Sequence, residues 1–124
     1  MRGRRVSGPS GERGSATVWV VALGGLLAAL GVAGVLVGAA VAGRHRATAA
    51  ADLAALAGAA RAVVGDPTAC SVAARIAAEN GAQLQTCTSL PGGIVDVRVR
   101  VSVRLGPLGE TDAHGRARAG PAPP

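Results

Sequence analysis

Residues 14–43 read GSATVWVVALGGLLAALGVAGVLVGAAVAG, thirty positions without a single Asp, Glu, Lys, Arg or His. An α-helix rises about 1.5 Å per residue, so about 20 apolar residues cross a hydrocarbon core about 30 Å thick. A helix also satisfies its own backbone N–H and C=O groups, leaving only side chains to face the acyl tails. The run therefore predicts one transmembrane helix over 14–43, and the rest of the chain is arranged on either side of it. Within the helix, Gly34 and Gly38 make a GxxxG continued by Ala42 on the same face. Small residues four apart let a second helix approach closely, so this face is a candidate helix-packing surface.

On the N-terminal side, residues 1–13 (MRGRRVSGPSGER) are polar and basic, and they predict an unstructured cytoplasmic segment. Arg2, Arg4, Arg5 and Arg13 precede the span, whereas Arg44, Arg46 and Arg61 follow it. The positive-inside bias toward a cytoplasmic N-terminus is accordingly modest. Trp19 lies near that end, where an indole ring favours the headgroup interface. The alternative is a cleaved secretory signal, for which Ala40-Val41-Ala42 offers a small-x-small site ahead of Gly43. Signal h-regions usually run about 7–15 residues, and this run is far longer, so an uncleaved anchor is the expectation.

The 124-residue chain carries a net charge of +6, all of its cationic excess being Arg, and has no Phe, no Tyr and one Trp. Only about 80 residues follow the span, a size at which a single core needs a staple. Residues 44–65 continue as a membrane-proximal helix. Ala49, Leu53, Leu56, Ala60 and Val63 recur at alternating four- and three-residue spacing, an apolar stripe suited to partner helices, with Leu53 and Leu56 its bulkiest contacts. Gly65-Asp66-Pro67 breaks the pattern. Asp66 as N-cap and Pro67 at the first helical position predict a second helix over 67–80, ended by Gly81.

The period then changes. Val95, Val97, Val99, Val101, Val103 and Leu105 alternate with Asp96, Arg98, Arg100, Ser102 and Arg104, which predicts a strand with one apolar face. A weaker strand over 83–90 joins it through Pro91-Gly92-Gly93, giving a β-hairpin whose Val face must lie on the helices or on another chain. A small module over 66–106 results, and residues 107–124, rich in Pro, Gly, Ala and Arg, are expected to be a disordered tail. Cys70 and Cys87 fall on the second helix and first strand. On an exported side they read as a disulfide, against the alternative of two buried free thiols. The bond closes a loop of about 17 residues and is worth about 3 kcal/mol in the chain-entropy picture.

No catalytic constellation emerges. His45 and His114 are isolated, the carboxylates are scattered, and the glycines of the span do not form a phosphate loop. Two cysteines with one distant His are too few for a structural metal site. Arg98, Arg100 and Arg104 share a strand face, but without aromatic stacking residues they read as a solvated face and not a nucleic-acid surface. The expectation is a protein without enzymatic activity, cofactor, metal, nucleic-acid partner or small-molecule substrate.

Two stretches together resemble the TadE/TadG-like proteins of tight-adherence (Flp) pilus assembly, and the valine-alternating strand and Arg/Ala/Gly/Pro tail are similar to those of the short actinobacterial members. One is Glu12-Arg13-Gly14-Ser15-Ala16-Thr17-Val18, leading directly into the apolar helix. The other is residues 50–59, AADLAALAGA, just beyond it. The resemblance implies a bitopic, pilin-like envelope component. In TadE members it further implies cleavage after a Gly, which here makes Gly14 and Ser15 the candidate processing site. Where TadE-type sequences place Glu five residues after that Gly, this chain has Trp19, so an uncleaved TadG-like anchor is the competing expectation.

The combined expectation is a membrane-anchored α+β protein: a transmembrane helix running into an amphipathic helix, a short helix, and a C-terminal β-hairpin. Its place is the cell membrane, as a single-pass protein with the N-terminus cytoplasmic and the C-terminus outside. Its expected partners are the bilayer and other pilus-assembly or secretion-system membrane proteins, or a second copy, met through the helix. The alternative is an envelope-bound or secreted binding protein released after Ala42.

Overall fold

A computed structural model of the chain describes residue 3 and residues 10–124, with side chains at residue 3 and from residue 14 onward. It divides into two compact units, Met1–Val35 and Leu36–Pro124. The element order is α1 (Ser10–Ala62), α2 (Ala69–Glu79), β1 (Gln83–Leu90), β2 (Ile94–Arg104), a 3-10 turn (Gly106–Leu108) and β3 (Glu110–Ala119). The fold is α+β, with a long N-terminal apolar helix. The expected unstructured segment lies outside the described residues except for Gly3 and its last four positions, which form the first turn of α1.

In the first unit, α1 is the sole element among the described residues, and its apolar side chains are exposed. Val18, Trp19, Leu23, Leu27 and Leu30 are each more than half exposed, an arrangement water does not favour and lipid does. One helix among the described residues is long and apolar enough to cross a membrane, and it starts near the N-terminus.

In the second unit, three antiparallel strands form a meander in the order β1-β2-β3, and α1 from Gly43 onward packs with α2 on one face of it. The alternating pattern of β2 behaves as expected: Val95, Val97, Val99, Val101 and Val103 are buried, while Arg98, Ser102 and Arg104 are exposed. Leu105 falls beyond the strand, as the residue preceding the 3-10 turn. The rest of the core is almost entirely alanine, including Ala47, Ala50, Ala51, Ala54 and Ala55 of α1 and Ala69, Ala73 and Ala77 of α2. These α1 positions repeat at three- and four-residue spacing, which puts them on one helix face.

Side chains this small draw the helix backbone close to the sheet, and glycine takes the tightest crossings. A Cβ at Gly115 of β3 would overlap the Ala47 carbonyl group, and one at Gly43 would overlap the Val103 side chain. Farther along, Gly58 has Val95 and Ala73 within 3.4 Å of where its Cβ would stand. Helix α1 and strand β2 thus run antiparallel, with Gly43 beside Val103 and Gly58 beside Val95.

Two expectations are corrected. The stretch expected to be a disordered tail contains β3, paired with β2 from Val95↔Ala119 to Arg104↔Glu110. Ala113, Ala117 and Ala119 of β3 alternate with Arg116, Arg118 and other polar residues, an amphipathic period that low side-chain bulk disguises as low complexity. Without β3, one edge of the Val-rich strand would be unpaired. Second, α2 begins at Ala69 and not at Pro67, because Asp66 spends its side chain on a turn. Its Oδ1 accepts from the Thr68 N–H at 2.8 Å and from the Thr68 hydroxyl at 2.6 Å, and no side chain caps α2. Its end agrees with expectation: Gly81 has φ +73° one residue past the C-cap Asn80.

Candidate interaction surfaces

The residues singled out in the sequence fall on four surfaces. Gly34, Gly38 and Ala42 of α1 are exposed, and the space a Cβ would enter at Gly34 and Gly38 is open. Farther along, Ala49, Leu53, Leu56, Ala60 and Val63 are all exposed, Leu53 by 47% and Leu56 by 61%. The leucine stripe is therefore not the face on which the module is built; the alanine face is. Sequence reasoning missed that face because alanine is abundant everywhere in α1, although its helical spacing was present. The two stripes share one helix: alanines toward the sheet, leucines toward whatever lies outside the fold.

Cys70, in the first turn of α2, is bonded to Cys87 of β1 across a separation of 17 residues. A bulge in β1 makes this possible. Leu84 pairs with Val99 and Cys87 with Val97, with the register shifting between Leu84 and Thr86. Residues three apart on a regular strand point to opposite faces; the extra residue brings both to the helix side. The bond ties the sheet edge to the helix that covers it.

The opposite face of the sheet is a charge lattice. Asp96 accepts from Arg118 Nε at 3.0 Å and Nη2 at 2.9 Å, and from Arg116 Nη2 at 3.4 Å. The Arg118 hydrogen bond, reinforced by Arg116, holds the Asp96 carboxyl below the usual carboxylate range. Arg100 pairs with Asp112 at 3.5 Å and donates to Gln83, and Arg104 meets Glu110 at 3.6 Å. Arg98 sits exposed opposite Arg116 in the strand register. At the foot of α2, Asp66 is also held below the usual range, first by the Thr68 hydroxyl, then by the Thr68 N–H and Arg61. These are cross-strand and loop ion pairs in which opposite charges partly neutralise one another. Among the described residues no three of His, Cys, Asp and Glu gather closely enough to hold a metal ion. His45 lies on α1, and His114 lies on β3, where it lines a shallow cleft with Thr111 and Asp112.

Gly14 and Ser15 lie in the second turn of α1, both exposed. Trp19 is 66% exposed one turn farther on.

Comparison with known families places one segment. Residues 14–61 match the family described as "Putative Flp pilus-assembly TadE/G-like". The match begins at Gly14, in the second turn of α1, and takes in the whole of the AADLAALAGA stretch, so this segment is TadE/G-like. No curated protein and no solved structure matches the chain.

Proposed function

We propose, from the TadE/G-like character of residues 14–61, that this chain is a non-enzymatic, single-pass membrane component of a Tad-type (Flp) pilus assembly or secretion system. In this reading α1 anchors the protein, with the N-terminus in the cytoplasm and the α+β module outside. Partner helices, or a second copy, pack on the Gly34/Gly38/Ala42 face within the bilayer and on the Leu53/Leu56 stripe beyond it. The observation that carries the proposal is that one helix serves two masters. Its alanine face is consumed by the module, while its leucine face stays exposed within the matched segment. An exposed Leu stripe beside a helix face already packed on the sheet favours a partner outside the module. The disulfide supports placement of the module in an oxidising compartment.

Mass spectrometry and N-terminal sequencing of the mature chain test the form in which it acts. An intact N-terminus supports the uncleaved anchor, a start at Ser15 supports pilin-like processing after Gly14, and a start at Gly43 would support a released binding protein instead. The assembly role is tested by deletion and co-purification. Normal pili in cells lacking the chain, together with its absence from the purified assembly machinery, would refute it.

A further inference from the structure

The turn between β2 and β3 reads Leu105-Gly106-Pro107-Leu108-Gly109, five residues without one polar side chain. Hairpin tips of water-soluble domains are ordinarily polar; here Leu108 is 68% exposed and Pro107 is exposed beside it. The backbone is largely closed on itself. The Leu105 N–H donates to Gly109 O at 2.8 Å, the Leu108 N–H to Leu105 O at 3.2 Å and the Gly109 N–H to Gly106 O at 3.2 Å, while Pro107 has no N–H to satisfy. Such a turn can leave water with little loss of hydrogen bonding.

Its position follows from the antiparallel course of α1 and β2. Gly43 lies beside Val103, and Leu105 is two strand residues, about 7 Å, farther on. On α1 that distance is about four to five residues toward the N-terminus. In agreement, Arg104 and Glu110 at the base of the turn line one cleft with Ala39, Ala42 and Arg46. The turn is therefore level with the last turns of the uncharged run, which ends at Gly43 and is followed by Arg44 and Arg46. The uncharged residues before Ala39 still exceed the about 20 that a hydrocarbon core requires.

We propose that the β2–β3 turn is a second membrane contact, in which Leu105, Pro107 and Leu108 insert into the headgroup interface of the bilayer that α1 crosses, while Arg44, Arg46 and Arg104 lie on its phosphates. Amphipathic elements bind in this way, with apolar side chains at the acyl boundary and Arg at the headgroups. The acidic groups on the same side are Glu110, paired with Arg104, and Asp112, paired with Arg100; the three arginines leave the rim positive. Held at two points, the module has a fixed orientation and presents the Leu53/Leu56 stripe at a set height above the membrane.

The inference rests on the reading of α1 as a membrane span, and one fluorophore strategy separates the two. Trp19 is the only Trp, so native emission from the full-length protein in phosphatidylcholine/phosphatidylglycerol vesicles reports the span alone. Quenching of Trp19 by brominated acyl chains shows that the span stands. In a Trp19→Phe background, Leu108→Trp is then expected to emit blue-shifted light and to lose about half or more of its intensity to shallow bromines. Thr88→Trp, which pairs with Asp96 about 26 Å along β2 from Arg104, is expected to stay water-like and unquenched. Leu108→Trp emission indistinguishable from that of Thr88→Trp, with Trp19 quenched, would overturn the second contact and leave the span intact. An unquenched Trp19 would overturn both.

Discussion

Asp96 sits where two arginines of the neighbouring strand reach it, and its carboxyl is thereby held below its ordinary range. A carboxylate with a lowered folded-state pKa stabilises the fold above its unfolded value, about 3.9, and that contribution is lost as pH falls through the folded value. The melting temperature of the module should therefore drop on acidification below about pH 4, and Asp96→Asn should flatten that part of the profile. Circular dichroism melts of the two proteins at stepped pH values are the check. Crowding sets the penalties at the glycines. Gly115 approaches the Ala47 carbonyl so closely that Gly115→Val should lower stability by about 1–3 kcal/mol, read by denaturant titration. Replacing Cys70 and Cys87 together by Ser should cost about 3 kcal/mol in the same assay, because the reduced chain regains the freedom of the loop between them.

Two elements carry two faces each, and their substitutions should behave oppositely. On α1, Leu53→Ala and Leu56→Ala trim exposed side chains and should leave module stability within about 0.5 kcal/mol, while weakening cross-linking to partner helices in membranes. Ala54→Leu, by contrast, forces a large side chain between helix and sheet and should destabilise by about 1–3 kcal/mol. A melt and an in-membrane cross-linking assay on the same three variants separate folding from association. On β2, Val97→Ala removes two buried carbon groups from a core whose largest fully buried side chains are Val95, Val97 and Val99, and should cost about 2 kcal/mol.

For the whole molecule, the proposed topology sets the chemistry of each side. A C-terminal fusion to a reporter active only outside the cytoplasm should be active, and thiol labelling of the native protein should find Cys70 and Cys87 unreactive until reduction. A silent reporter with freely labelled thiols would reverse the orientation. The anchoring helix, the hydropathic alternation of β2 and the chain reversal at Pro91-Gly92-Gly93 were all legible in the order of residues. Each rests on a local rule: uninterrupted apolarity in one case, a two-residue period in the second, turn chemistry in the third. What the order of residues left open was which helix face meets the sheet, where β1 bulges, and that the final segment pairs as β3. Those outcomes depend on distances between residues far apart in the chain. Alanine and glycine look featureless in sequence, and they acquire a role only when a helix and a sheet close to backbone contact across them.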